Sequence, residues 1–250
     1  MIDTLLGPGG EWVNLFEDCV WRAGPGIDLP YRLLSPDQTA AGQHFPLVLF
    51  LHGAGERGDN NRSQLRHGVR RFALPESRAA HPAFVLVPQC PAGEGRNAGY
   101  WLGRHPRVRS NGDVDGAGDL PAMLLELIAA TMAQYPVDPR RVYITGISMG
   151  GFATWALMAM RPDLFAASVP VCGGGDPGWA PRMKDIPVWA FHGSNDAVVP
   201  VDYTRRMIEG LRAAGGNPKY TEYAGVGHDS WTPAYREPDL LNWMFAQEMA

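Results

Sequence analysis

Arg141-Val-Tyr-Ile-Thr-Gly-Ile-Ser-Met-Gly-Gly-Phe-Ala-Thr-Trp-Ala-Leu-Met-Ala-Met160 changes its periodicity halfway along. Arg141 to Thr145 is dense in β-branched and aromatic residues and predicts a buried strand, whereas Gly151 to Met160 has the apolar pattern of a helix. Between them stands Gly146-Ile147-Ser148-Met149-Gly150, a G-x-S-x-G in the setting of strand, sharp turn and helix. The flanking glycines are expected to let the chain bend tightly enough to hold Ser148 at positive φ, a conformation disfavoured for a residue with a Cβ and therefore suggestive of function. Ser148 is the candidate nucleophile.

The same rhythm recurs along the chain. Strands are predicted at Phe45 to Leu51, Phe84 to Val87, Ala167 to Val171 and Val188 to Phe191, with an antiparallel opening hairpin at Trp12 to Arg22 and Leu29 to Leu34 and a last strand at Tyr220 to Tyr223. Helices are predicted at Leu120 to Gln134, capped by Asp119 with Pro121 in the first turn, and at Met149 to Met160, terminated near Pro162. Two more are expected at Val201 to Ala214 and Asp239 to Met249. Alternation of this kind implies an α/β fold: about eight mainly parallel strands covered by helices on both faces. The apolar rows of the first two helices read as core faces rather than cofactor contacts.

The chain has 250 residues, 45% hydrophobic and 19% charged, with 22 prolines and 30 glycines. These values fit one α/β domain over residues 1–250 with many loops, without repeats or a polar linker. The net charge of -4 is spread without a basic stripe or a cationic amphipathic face, so neither nucleic acid nor a membrane is an expected partner. Met1-Ile-Asp-Thr-Leu-Leu-Gly-Pro lacks the basic and apolar regions of an export signal, which points to a cytoplasmic protein. Cys19, Cys90 and Cys172 lack metal-ligand spacing. If Cys90 and Cys172 end strands separated by two others, they start about 14 Å apart, beyond the ~7 Å a disulfide tolerates, and free thiols are expected.

A serine hydroxyl needs a base to take its proton and an acid residue to orient that base. Downstream, Ile186-Pro-Val-Trp-Ala-Phe-His-Gly-Ser-Asn-Asp196 reads as a strand ending in a loop with Asp196, and Gly225-Val-Gly-His228 puts a histidine in a glycine-rich loop after another strand. Asp202 and Asp229 fit the acid role less well, because Asp202 is placed to start a helix and Asp229 adjoins the base. An oxyanion also needs two N–H donors: the backbone of Met149 supplies one, and Ala54 in Leu51-His-Gly-Ala-Gly-Glu-Arg-Gly58 the other. His52, Glu56 and Arg57 are expected to hold this loop through hydrogen bonds and an ion pair. Gly53, Gly55 and Gly58 also match a dinucleotide fingerprint, but Asp59-Asn-Asn-Arg-Ser63 does not begin an apolar helix and no acidic strand end follows at the required distance.

With these residues the chain resembles the α/β-hydrolase superfamily, and within it the compact phospholipase/carboxylesterase group, also labelled predicted peptidase, related to feruloyl and acetylxylan esterases. The resemblance spans nearly the whole chain. It rests on Leu29-Pro-Tyr-Arg-Leu, Leu51-His-Gly-Ala-Gly-Glu-Arg-Gly, Val87-Pro-Gln-Cys-Pro, Val137-Asp-Pro-Arg-Arg-Val-Tyr, Gly146-Ile-Ser-Met-Gly-Gly, His192-Gly-Ser-Asn-Asp and Gly227-His228. The order Ser148, Asp196, His228 is that of this superfamily. The resemblance implies a serine carboxylesterase acting on short-chain or aromatic esters of small molecules, carbohydrate-linked ones included, with no metal and no organic cofactor. Cys172 to Asp185 leaves about fourteen residues where relatives insert a helical cap, which predicts an open pocket. Trp101, Trp179 and Trp231 are candidate substrate contacts, with packing as the competing role. A thioesterase or lysophospholipase shares the chemistry. A prolyl-oligopeptidase-type peptidase adds a domain for which this chain has no room, and a binding protein on the same scaffold usually lacks a triad member. Oligomeric state stays open.

Overall fold

Phe45-Pro-Leu-Val-Leu-Phe-Leu51 forms a strand in which every position is buried. A strand with no exposed face needs cover on both sides. Leu47, Leu49 and Leu51 enter one core, and Val48 and Phe50 enter the other. At about 1.5–3 kcal/mol for each fully buried aliphatic or phenyl side chain, such a strand strongly fixes the centre of the sheet.

The computed structural model describes residues 10–22, 28–38, 42–93, 100–102, 107–108, 114–115 and 120–249. The strands are β1 (Phe16–Arg22), β2 (Asp28–Leu34), β3 (Phe45–Leu51), β4 (Phe84–Pro88), β5 (Arg107–Val108), β6 (Val114–Asp115), β7 (Val137–Ile147), β8 (Ala167–Val171), β9 (Trp189–Gly193) and β10 (Lys219–Tyr223). Eight of them form an open sheet in the order β1-β2-β4-β3-β7-β8-β9-β10, while β5 and β6 pair separately. The β1-β2 and β2-β4 pairs are antiparallel, and the remaining neighbours in the large sheet are parallel.

The helices are α1 (Arg70–Ala73), α2 (Pro75–Ala80), α3 (Leu120–Gln134), α4 (Met149–Met160), α5 (Ala180–Met183), α6 (Asp202–Ala213), α7 (Trp231–Ala234) and α8 (Leu240–Phe245). In α3, Leu120, Met123, Leu124, Leu127, Ile128 and Thr131 are buried, the one-face spacing of a helix laid on a sheet. Helix α4 ends at Met160 because Pro162 follows, which drives Arg161 out of the helical region (φ −131°, ψ 71°). The cores on the two faces are built largely from α3, α4, α5 and α6 on one side and α1, α7 and α8 on the other.

Three boundaries differ from the sequence reading by more than two residues. Glu11–Leu15 is a 3-10 turn rather than strand, which brings Trp12 edge-on to Phe16 at 6.0 Å and buries Val13. The last helix stops at Phe245: Tyr143 donates to Gln247 O at 2.7 Å, and Met249 N donates to Arg140 O at 3.0 Å, so the tail is drawn onto β7 instead of coiling. Strand β7 starts earlier than expected, at Val137, opposite Phe45 of β3. The Asp119 cap and most of the Gly/Arg/Pro-rich stretch after Cys90 lie outside the described residues. Cys90 and Cys172 follow β4 and β8, with β3 and β7 between those strands, and both thiols are free.

Candidate active site

The turn after β7 is shaped by lack of room. Ser148 has φ 52° and ψ −115°, a strained combination for a residue with a Cβ. Ser148 thus stands at the positive φ expected of it, while neither Gly146 nor Gly150 has positive φ itself. They are there because main chain passes against main chain. A Cβ on Gly146 would strike the carbonyls of Gly150 and Leu51, one on Gly150 those of Leu51 and His52, and one on Gly151 that of Val171. Ser148 N donates to Val171 O at 2.9 Å, which pins the strained residue to the end of β8.

Ser148 Oγ lies 2.9 Å from His228 Nε2, and His228 Nδ1 lies 2.6 Å from Asp196 Oδ2. The structure thus brings together three residues from the loops after β7, β9 and β10, at the carboxyl ends of parallel strands. The other carboxylate oxygen, Asp196 Oδ1, accepts the N–H groups of Val198 and Val199, each at 2.9 Å. Burial opposes ionisation of Asp196, but hydrogen bonds from His228, Val199 and Val198 outweigh it and hold the carboxyl below the usual range. The acid and base loops are joined by Asn195 N to Val226 O at 2.9 Å and Gly225 N to Ser194 Oγ at 2.8 Å. Asp202 pairs with Arg205, and Asp229 accepts the N–H of Thr232, so both competing acids are engaged elsewhere.

Met149 opens α4 and Ala54 opens a 3-10 turn, Ala54–Glu56, so no preceding helical turn takes up their N–H groups. The Ala54 loop hangs on His52, which is buried behind it. Cys90 N donates to His52 Nε2 at 2.9 Å, so the ring carries its proton on Nδ1, 2.6 Å from Gly53 O. Burial lowers the His52 pKa to about 4, leaving the ring neutral. Arg57 donates to Ala54 O at 2.7 Å, whereas the Glu56 carboxylate lies 3.5 Å from the ring of His67, whose pKa burial lowers. Gly58 is followed by loop and not by a helix, so the glycine run offers no dinucleotide site.

Of the three tryptophans, Trp101 is fully buried and donates its indole N–H to His52 O at 3.1 Å, which makes it a prop for the Ala54 loop rather than a substrate contact. Trp179 packs in the core with Met183 and Met207. Trp231 is partly buried and stands edge-on to His228 at 5.2 Å and tilted to His67 at 5.2 Å. Sequence reasoning missed a different aromatic pair. Phe152, one turn past Ser148 on α4, meets the exposed Tyr203 edge-on at 5.7 Å. The four-residue spacing from the candidate nucleophile was its available signal. It also missed His192, buried beside Asp196.

Donor atoms of Cys172, Asp196 and His228 fall within 4.8 Å of one another. A thiol, an imidazole and a carboxylate can bind zinc, but Asp196 and His228 are committed to each other here, and burial pushes the Cys172 thiol up to about 12. Between β8 and β9 the chain forms only the 3-10 turn Pro177–Trp179 and α5, which packs with α4 and α6; among the described residues there is no cap.

Comparison with known proteins gives a consistent picture. Residues 122–177 match the prolyl oligopeptidase family. A probable carboxylesterase of Oryza sativa subsp. japonica is 28% identical over 218 residues, covering 82% of this chain and 79% of the rice protein. A probable feruloyl esterase C of Aspergillus terreus is 28% identical over 172 residues, covering 69% of this chain and 56% of that protein. The crystal structure of a thermostable esterase superposes with a TM-score of 0.85 at 36% identity, covering 94% of this chain; the chain spans 64% of that esterase's length.

Proposed function

We propose, from the premise that the chain belongs to the carboxylesterase-like α/β-hydrolases and is a serine hydrolase, that it cleaves short-chain or aromatic carboxylic esters through an acyl-enzyme on Ser148. The observation that carries this reading is the unbroken hydrogen-bonded series Ser148 Oγ, His228 Nε2, His228 Nδ1, Asp196 Oδ2. Ser148 attacks the ester carbonyl while His228 Nε2 takes the hydroxyl proton, and the negative charge on the carbonyl oxygen is met by the N–H groups of Met149 and Ala54. His228 returns the proton to the leaving alcohol. It then accepts a proton from water, which attacks the acyl-enzyme, and Ser148 is released with a carboxylic acid. Asp196 keeps the proton of neutral His228 on Nδ1 and stabilises its charged form.

The preference for compact or flat groups rests on the surroundings of Ser148. The uncapped connection after β8 supports an open site, and Phe152 and Tyr203 offer aromatic faces one turn from the nucleophile. The likeness to a probable feruloyl esterase supports the same direction. The test is hydrolysis of nitrophenyl esters of increasing acyl length and of methyl ferulate by the native protein and Ser148→Ala. Short-chain or feruloyl turnover that vanishes in the variant is expected. Equal turnover by both proteins would remove Ser148 from the reaction, and a maximum at long acyl chains would replace this substrate class.

A further inference from the structure

Two histidines meet one oxygen of Asp196. His228 Nδ1 approaches Oδ2 at 2.6 Å, and His192 Nε2 approaches the same atom at 3.2 Å from the opposite direction in sequence. His192 lies in β9, four residues before Asp196, and its side chain is wholly buried. No step of ester hydrolysis uses it. A buried imidazole carries a desolvation penalty that a phenyl or isobutyl side chain would not, and its β9 neighbours Trp189, Ala190 and Phe191 are apolar core residues.

The proton positions follow from the partners. His192 Nε2 faces two acceptors, Asp196 Oδ2 and, at 2.9 Å, Val199 O, so it bears hydrogen. His192 Nδ1 faces Thr204 Oγ1 at 2.8 Å, and Thr204 in turn lies 2.8 Å from Gly173 O. Bare Nδ1 and Gly173 O compete for the one hydroxyl proton of Thr204, so the ring is tied to the acid loop through Nε2–H and stands against α6 at Thr204. Asp196 accepts three hydrogen bonds, from Val198 N–H and Val199 N–H on Oδ1 and from His228 on Oδ2, and His192 Nε2–H, which donates to Val199 O, stands 3.2 Å from Oδ2 as a further polar contact. The charged or titratable groups around His192 are Asp196 on the following loop, His228 on the loop after β10, and Glu222 of β10, which is itself paired with Arg205 of α6.

We infer that His192 is a positioning residue for the triad acid: its Nε2–H, bonded to Val199 O and 3.2 Å from Asp196 Oδ2, holds the loop whose N–H groups grip the carboxylate and draws charge from the oxygen that faces His228. This inference extends the Ser148 reading. The nearby N–H dipole limits how firmly Asp196 stabilises protonated His228, so that the imidazolium formed during attack readily passes its proton to the leaving alcohol. Without it, His228 holds a proton more tightly and is less well aimed.

The experiment compares native protein with His192→Phe, His192→Gln and Thr204→Val by the pH dependence of kcat and by the low-field proton resonance of His228 Nδ1–H in the free protein, which needs no substrate. His192→Phe is expected to lower kcat about tenfold, the scale of one hydrogen bond, with KM nearly unchanged. Its acid limb moves to higher pH by about half a pH unit or more, and the resonance shifts downfield. His192→Gln, whose amide can still donate to Val199 O beside Asp196, restores both readouts towards native. Thr204→Val, which keeps the ring but removes the hydroxyl beside Nδ1, gives the same shifts at smaller size and serves as the test where His192→Phe does not fold. A folded His192→Phe with an unmoved acid limb and resonance overturns the inference, and so does a lowered Tm with both readouts unchanged. If the protein hydrolyses no ester yet the resonance moves as stated, the positioning role stands and the Ser148 reading fails.

Discussion

The nucleophile turn and the loops that serve it are held in place by different forces. Around Ser148 the main chain touches main chain: Gly146, Gly150 and Gly151 sit so close to the carbonyls of Leu51, His52 and Val171 that no side chain fits. Around Asp196, His228 and Ala54 the chain is held by hydrogen bonds from side chains, among them His192, Ser194, His52 and Trp101. Steric exclusion leaves one position or none, whereas a hydrogen-bond network loosens one bond at a time. The nucleophile turn should therefore fail abruptly and its surroundings by degrees.

Gly150→Ala is the sharpest way to break that contrast. Its methyl would have to occupy the space of the Leu51 and His52 carbonyls, so the edge of β3 and the start of α4 must separate. Overpacking of this kind against backbone is expected to exceed the ordinary range and cost more than about 4 kcal/mol, seen as loss of a cooperative urea transition or of soluble protein. A variant with native stability would show that the turn yields as readily as the loops.

Asp196→Asn tests the hydrogen-bonded side. The N–H groups of Val198 and Val199 require the amide oxygen, which turns the amide nitrogen towards His228 and His192. His228 Nδ1 must then accept rather than donate, and the other nitrogen becomes a donor that cannot take the Ser148 proton. A fall in kcat on the order of 10³ to 10⁴ is expected with the fold intact, read by steady-state kinetics beside circular dichroism. A fall of only a few fold would mean that Asp196 does not set the tautomer.

The same contrast explains what could be read from the chain itself. The strands at 45–51, 84–88 and 167–171 and the helices at 120–134 and 149–160 follow local pattern, because apolar period and proline stops act over a few residues. Ser148, Asp196 and His228 were legible because each closes a strand followed by glycine or a loop. The reason for Gly146 and Gly150 was not, since close approach of Leu51 is a contact between distant segments. The tryptophans illustrate the limit further. Between substrate contact and packing, the sequence left Trp101 and Trp179 open, and tertiary packing buries both, while the partly open aromatic pair is Phe152 and Tyr203. His192 was hidden in the strand pattern of β9, where a lone histidine looks like any inward residue.

Protonation of His52 offers a graded perturbation of the Ala54 loop. The folded ring has a pKa of about 4 against an ordinary 6.5, so the unfolded chain binds this proton first as pH falls. Stability from this group is complete above pH ~6.5 and is lost progressively between there and pH ~4, by up to about 3 kcal/mol. Burial also holds His192 below the usual imidazole range, which acts in the same direction. Urea midpoints at pH 7.5 and 4.5 should differ accordingly, and equal midpoints would mean that these rings protonate without unfolding anything.

Trp101→Phe should be the mildest of these changes and the most local. It keeps the aromatic packing against the His52 ring, whose centroid is 4.9 Å away, and removes the indole N–H that satisfies His52 O. One buried hydrogen bond is worth about 1 kcal/mol, so the loss of stability is small. The carbonyl concerned, however, is two residues before Ala54, whose N–H is assigned to the oxyanion. If side-chain hydrogen bonds aim that donor, kcat should fall a few fold with KM nearly unchanged, since the oxyanion exists only on the reaction path. An equal loss of stability with an unchanged kcat would show that Trp101 supports the core alone and that the Ala54 loop, like the turn at Ser148, is positioned by its backbone.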